Sequence, residues 1–116
     1  MQLLHSKESH VLVITPVGVS LDAKDAPEFK ETVMHLIDNT QVSCVVFDLH
    51  ELQYIDSTGL GTFLTVLKRL NNTGGELKLA CLNKPIRVMI ELISMHKVFE
   101  IYNNTQDAVR SFNIKL

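Results

Sequence analysis

Apolar and polar residues alternate along this chain in blocks that predict strands and helices in turn. Residues 10–16, 42–49 and 76–82 are rich in β-branched and apolar side chains, and each block has the length of a strand. Residues 42–49 are almost continuously apolar, as expected for a central strand covered on both faces. Shorter strands are predicted near residues 3–6 and 99–102, the first paired with the strand at 10–16.

Between these blocks the apolar residues recur at helical spacing. A first helix is predicted over residues 25–38, where Asp25 and Pro27 provide start signals. A second helix follows Asp56 and ends at the breaker Asn-Asn-Thr-Gly-Gly of residues 71–75. The positions expected to face inward on these two helices are Phe29, Val33, Leu36, Ile37, Leu60, Phe63, Leu64, Leu67 and Leu70.

Two more helices complete the pattern. Residues 83–85 (Asn-Lys-Pro) begin a third helix that is predicted to run through Met95, and a final helix is predicted to be capped by Thr105. Strands alternating with helices favour an α/β fold, a mixed sheet of four or five strands with about four helices. The inward positions of these helices are Ile86, Ile90, Ile93, Ala108, Val109 and Phe112, and one core is predicted to contain Cys44, Val46, Leu64, Leu67 and Leu79.

Composition narrows the functional classes. The chain has 116 residues, 46% hydrophobic and 21% charged, which predicts one globular domain over residues 1–116. A net charge of −2 argues against direct nucleic-acid binding, which requires a basic surface. The chain lacks a signal-peptide pattern and an apolar stretch of the ~20 residues that span a membrane. Cys44 and Cys81 lie in apolar runs and are expected to be buried reduced thiols, so the cytoplasm is the expected location.

Motifs for catalysis, metals and cofactors are missing from the sequence. The segment around Ser57 lacks the first glycine of a G-x-S-x-G nucleophile turn. The five histidines show no spacing typical of a metal site. The glycines at 74–75 lack the spacing of a phosphate-binding loop. The sequence therefore predicts a protein that is not an enzyme and needs no metal or cofactor.

The most informative segment is Asp56-Ser57-Thr58-Gly59-Leu60-Gly61, where the second helix is predicted to begin. The first turn of a helix has backbone N–H groups without intrahelical partners and carries partial positive charge. Such a site suits a Ser, Thr or Asp cap, and it also suits a phosphate. Asp56 or Ser57 is therefore either a plain cap or, in the case of Ser57, a hydroxyl whose phosphorylation would act as an electrostatic switch.

Two glycines in this first turn need a reason, because each costs ~0.5–1 kcal/mol relative to alanine in a helix. Gly59 and Gly61 suggest that something approaches the backbone closely, either a neighbouring strand or a partner protein. On the second interpretation, exposed side chains farther along the helix would continue the same surface. Those side chains are Thr62, Thr65, and Lys68 or Arg69.

The segment 56–61 strongly resembles the phosphorylation motif of bacterial anti-sigma factor antagonists, which are members of the STAS domain family. The similarity covers nearly the whole chain, so it is more specific than the four residues Asp-Ser-Thr-Gly alone. One departure is the segment 18–22, which has one residue more than the family's Gly-x-Leu-Asp. The other similar segments are Leu21-Asp22-Ala23, Ala26-Pro27, Val45-Val46-Phe47-Asp48-Leu49, Gly74-Gly75-Glu76-Leu77 and Val98-Phe99-Glu100-Ile101.

The resemblance implies a partner-switching protein. In the family, the unphosphorylated antagonist binds an anti-sigma factor that is also a serine kinase with a histidine-kinase-like ATPase fold, and a sigma factor is released. The kinase phosphorylates the serine that corresponds to Ser57, which blocks binding, and a PP2C-type phosphatase removes the phosphate. A second class, a STAS ligand sensor or scaffold without phosphorylation, stays open. The partner-binding residues expected from the resemblance and the glycine pattern are Asp22, Asp56, Ser57, Thr58, Gly59, Gly61, Thr62 and Thr65.

Overall fold

The computed structural model describes residues 1–112, and their arrangement confirms a mixed α/β fold. Seven strands and four α-helices follow one another in this part of the chain, with a short 3₁₀ turn at Met95–Lys97. The strands are β1 (Gln2–Glu8), β2 (Val11–Val17), β3 (Ser20–Leu21), β4 (Cys44–Asp48), β5 (Tyr54–Ile55), β6 (Glu76–Ala80) and β7 (Ile101–Tyr102). The helices are α1 (Ala26–Thr40), α2 (Ser57–Asn71), α3 (Lys84–Leu92) and α4 (Thr105–Ser111).

Five of the strands form one mixed sheet in the order β1-β2-β4-β6-β7. β1 pairs with β2 in antiparallel register from Gln2 opposite Val17 to Glu8 opposite Val11, and the other three pairings are parallel. The short strands β3 and β5 form a separate parallel pair. The predicted sheet of four or five strands is therefore confirmed.

The larger core lies between one face of the sheet and helices α1, α2 and α3. Its centre is a group of phenylalanines: Phe47 of β4 lies 5.8 Å from Phe29 of α1 and 5.1 Å from Phe63 of α2, measured between ring centroids. Both contacts are edge-to-face, the geometry that aromatic pairs favour. Leu67 and Leu79 belong to this core, and Leu64 packs against it half-buried.

The prediction of one core holding these residues together with Val46 and Cys44 is wrong. Val46 is fully buried on the opposite face of the sheet, in a smaller cluster with Val11, Val13 and Ala108, and Cys44 packs against that cluster. Successive side chains of a strand point to opposite faces, so Val46 and its neighbour Phe47 enter different cores. The continuously apolar strand β4 therefore contributes side chains to both cores.

The smaller core is covered by α4 and contains a buried lysine. Lys78 of β6 donates to the Ser111 hydroxyl at 2.7 Å, and its ammonium group lies 3.3 Å from a Glu100 oxygen and 4.2 Å from the ring centre of Phe112. A hydrogen bond from Tyr102 and the Lys78 ammonium lower the pKa of the Glu100 carboxyl. Lys78 therefore links the sheet to the last helix of the described chain.

Several local predictions differ from the structure. The third helix ends at Leu92, and Ile93, which was expected to face inward, is 42% exposed. The cap of α4 is Asn104, whose side-chain oxygen accepts from the Asp107 N–H at 2.8 Å, and Thr105 is the first helical residue. Both errors are shifts at helix ends, where periodicity carries the least information.

The two cysteines are free and half-buried, less enclosed than expected. Burial raises the pKa of the Cys81 thiol, so this thiol stays protonated and weakly nucleophilic at neutral pH.

Within residues 1–112, none of the helices is both long enough and apolar enough to cross a membrane.

Candidate functional site

The candidate site is the start of α2, which lies at the end of β5. Asp56 has extended backbone angles (φ −101°, ψ −178°), and its Oδ1 atom accepts from the Gly59 N–H at 2.8 Å. Asp56 is thus the helix cap, and Ser57 is the first helical residue with an exposed side chain. This geometry decides between the two capping candidates, because the hydroxyl of Ser57 is not needed to cap the helix.

The second oxygen of Asp56 contacts a different part of the chain. Oδ2 accepts from the Ala23 N–H at 3.0 Å, and Ala23 lies in the β3–α1 loop, residues 22–25. The backbone N–H of Asp56 also lies 3.4 Å from the Leu21 carbonyl oxygen. Within the loop, a carboxylate oxygen of Asp22 accepts from the Lys24 N–H at 3.1 Å. Asp56 therefore connects the loop that contains Asp22 to the start of α2.

The short β3–β5 pair brings these two segments together. Ser20 is opposite Tyr54 and Leu21 is opposite Ile55 in parallel register. Residues 18–22 are the segment with one residue more than the family pattern. The chain turns at Gly18, where φ is +135°, before it enters β3. Parallel strands end at the same edge, so the residues after β3 and β5 emerge side by side.

The two glycines of the first turns of α2 have opposite surroundings. A Cβ atom on Gly59 would lie 2.5 Å from the Leu21 carbonyl oxygen and 2.8 Å from Ile55 Cγ1, so this glycine allows β3 and β5 to approach the helix. A Cβ atom on Gly61 would meet nothing within 4 Å. The neighbouring-strand interpretation thus holds for Gly59, and Gly61 leaves open space outside the helix.

The threonines divide in the same way. Thr62 is 7% exposed, and its hydroxyl donates to the Gly59 carbonyl at 2.6 Å, so the expectation that Thr62 is exposed is wrong. Thr65 is exposed and donates to the Gly61 carbonyl at 3.0 Å. Thr62 lies three residues after Gly59 and shares its buried side, since residues three or four apart lie on one face of a helix.

The outer surface of α2 includes Ser57, Thr58, Gly61 and Thr65, of which Gly61 is half-buried and the others exposed. Lys68 and Arg69 are exposed one or more turns farther along, and Arg69 pairs with Asp38 of α1. The first turn of α2 contains no acidic residue, and the Asp56 cap places a carboxylate at its positive end. A phosphate on Ser57 would be favourable for the helix at this position.

The sequence did not predict that β5 and α3 expose apolar side chains. Tyr54 of β5 is 52% exposed, and α3, which packs against β5, exposes Val88 and Leu92 by 44% and 74%. Val88 and Leu92 are four residues apart and out of phase with the buried Ile86 and Ile90. This second apolar stripe could have been identified from the sequence, because the core requires only one apolar face of a surface helix.

Among residues 1–112, no group of three or more His, Cys, Asp or Glu side chains is arranged to hold a metal ion. Asp22 and Asp56, the carboxylates of the candidate site, instead accept backbone N–H groups. The site is therefore built to order backbone segments beside an exposed hydroxyl.

This chain is a small α/β domain with a five-stranded mixed sheet, four helices and an exposed serine at a capped helix start. The chain belongs to the STAS domain family, whose model matches residues 4–108, which confirms the resemblance. The chain is 28% identical over 116 residues to the anti-sigma F factor antagonist of Paenibacillus polymyxa, with 98% of each chain covered.

Two solved structures show the same fold. An anti-sigma-factor antagonist (STAS) domain protein from Planctomyces limnophilus superposes with a TM-score of 0.86 at 17% identity, covering 97% of this chain and 98% of that chain. SpoIIAA of Bacillus in its phosphorylated form superposes with a TM-score of 0.72 at 16% identity, covering 97% of this chain and 100% of SpoIIAA. The family match and the Paenibacillus polymyxa relative support the general role of an anti-sigma factor antagonist.

Proposed function

We propose that this protein is a partner-switching regulator whose unphosphorylated form binds an anti-sigma factor that is also a serine kinase. Binding releases a sigma factor, and phosphorylation of Ser57 by the same kinase ends the complex. The observation that carries the proposal is the position of Ser57: an exposed hydroxyl at the first residue of α2, with capping done by Asp56. Membership in the STAS family and relatives that are anti-sigma factor antagonists support it.

The proposed switch acts on an interface and leaves the fold intact. A phosphoserine adds a charge of about −1.5 to −2 at neutral pH. At the start of α2 that charge is favourable for the helix itself, so the free protein tolerates it. A partner that packs over the same exposed turn would have to desolvate the phosphate next to the Asp56 carboxylate, at a large cost in binding free energy. Phosphorylation is thereby converted into loss of a complex.

The proposed binding surface combines the outer side of α2 with the loop before α1. Ser57, Thr58, Gly61 and Thr65 provide exposed or open positions, and Asp22 lies in the loop that Asp56 attaches to them. Gly59 and Thr62 support this surface from beneath, since neither is exposed.

A PP2C-type serine phosphatase would remove the phosphate and restore binding. The protein itself would act by binding, without catalysing a reaction. Because its output is the release of a sigma factor, the proposal places the protein in the cytoplasm, where transcription takes place.

The experiment incubates the purified protein with each anti-sigma factor kinase of its own genome and Mg-ATP, and then maps the modified residue by mass spectrometry. We expect labelling of wild type and of Thr58→Ala, the matched control one residue away, and no labelling of Ser57→Ala. Ser57→Ala should still bind the kinase. Stoichiometric labelling of Ser57→Ala would refute the assignment of Ser57, and binding of no kinase at all would refute the partner-switching role.

A further inference from the structure

The carboxylate of Asp56 makes two hydrogen bonds that join separate parts of the chain. Oδ1 accepts from the Gly59 N–H at 2.8 Å within α2, and Oδ2 accepts from the Ala23 N–H at 3.0 Å in the β3–α1 loop. The first bond caps the helix. The second bond holds the loop that contains Asp22 against the residue directly before Ser57.

A comparison within the same chain separates these two roles. Asn104 caps α4 with the same geometry, its Oδ1 accepting from the Asp107 N–H at 2.8 Å. An amide oxygen is therefore sufficient to cap a helix in this protein. An amide has only one acceptor atom, whereas a carboxylate has two. Besides its negative charge, what Asp56 adds to an asparagine cap is the bond to Ala23.

We propose that Asp56 is a positioning residue, which holds the β3–α1 loop beside Ser57 so that the two segments form one docking surface for the kinase. This inference rests on the proposed function. Asp56 is half-buried, and both of its carboxylate oxygens are engaged inside the protein, which leaves it poorly placed to bind the partner directly. Its contribution to the complex passes through Ala23 and the loop.

The test uses Asp56→Asn, which keeps one acceptor oxygen for the Gly59 N–H and replaces the other by an NH₂ group that cannot accept. The matched control is Glu31→Gln, which removes the same charge at an exposed position of α1. In the free protein, NMR hydrogen exchange should show the Ala23 amide exchanging at least about tenfold faster in Asp56→Asn, because it loses a charge-assisted bond. The Gly59 amide should stay protected, and Glu31→Gln should change neither amide.

The second readout is phosphorylation by the kinase that labels wild-type Ser57. We expect Asp56→Asn to raise KM by about tenfold with kcat within a small factor of wild type, because docking is impaired while the hydroxyl is unchanged. Glu31→Gln should match wild type in both parameters. A loss of kcat at unchanged KM would contradict the positioning role.

The two readouts separate the possible failures. Unchanged exchange at Ala23 in Asp56→Asn would overturn the inference without reference to any partner. Faster exchange with unchanged KM would show that the bond exists but does not serve docking, which also overturns it. If no kinase labels the wild type, the proposed function fails and the docking role fails with it, while the exchange result still reports whether Asp56 holds the loop.

Discussion

The inner and outer sides of the first turns of α2 have different surroundings, so substitutions on the two sides should change different properties of the protein. On the inner side, Gly59 and Thr62 are buried, and a single added methyl group at Gly59 would collide with the backbone of β3. On the outer side, Ser57 is exposed and Gly61 faces open space. The inner side is therefore constrained by the fold and the outer side is available to a partner. Changes on the two sides should separate stability from binding.

The largest loss of stability is expected from Gly59→Ala. The added Cβ would lie 2.5 Å from the Leu21 carbonyl oxygen, and this backbone atom cannot move without shifting β3. We expect a loss of ~1–3 kcal/mol in the free energy of unfolding, as for other overpacked sites. Urea denaturation followed by circular dichroism gives the value. A stability equal to wild type would show that β3 yields and that the inner side is not constrained.

A large effect on binding, with little effect on folding, is expected from Ser57→Glu. The new carboxylate stands at the favourable end of α2, so the free energy of unfolding should stay within ~1 kcal/mol of wild type. Binding to the kinase should weaken at least about tenfold, though less than on phosphorylation, because one charge replaces nearly two. Calorimetric titration and a melting curve measure the two effects. Loss of folding together with binding would mean that the switch melts the domain.

A smaller loss of stability is expected from Thr62→Val, with Thr65→Val as its control on the outer side. Thr62→Val keeps the branched shape and removes the buried hydroxyl that donates to the Gly59 carbonyl at 2.6 Å. We expect a cost of ~0.5–1.5 kcal/mol in the free energy of unfolding, the usual contribution of one hydrogen bond. Thr65→Val should cost less, since its hydroxyl is exposed. Equal costs at both positions would remove the distinction between the two sides.

The smallest effect on stability, with the opposite sign, is expected from Gly61→Ala. Alanine is the better helix former by ~0.5–1 kcal/mol, and the new methyl group meets no atom within 4 Å in the free protein. The free energy of unfolding should therefore rise. Kinase binding should weaken, because the methyl group occupies the space proposed for the partner. Unchanged affinity with higher stability would show that Gly61 lies outside the interface with the kinase.

The sequence predicted most elements of the fold because their patterns are local. Alternation and helical spacing depend on neighbours a few residues apart, so the five strands of the main sheet, the four helices and the end of α2 at the residue 71–75 breaker were predicted in the correct order. The two-residue strands β3 and β5 were not predicted. The errors at Ile93 and Thr105 lie at helix ends, where the choice of a final turn depends on what packs against it. Val46 was assigned to the wrong core because periodicity does not show which face each helix covers.

At the candidate site, the sequence by itself determined the segment Asp-Ser-Thr-Gly, its place at a helix start and the family to which it belongs. Only the tertiary structure decided that Asp56 is the cap, that Gly59 is constrained by β3, and that Gly61 is open. The constraint on Gly59 and the second hydrogen bond of Asp56 depend on Leu21 and Ala23, which are more than thirty residues away in the chain and adjacent in space. A local pattern carries no record of such a contact, since it arises only when β3 pairs with β5.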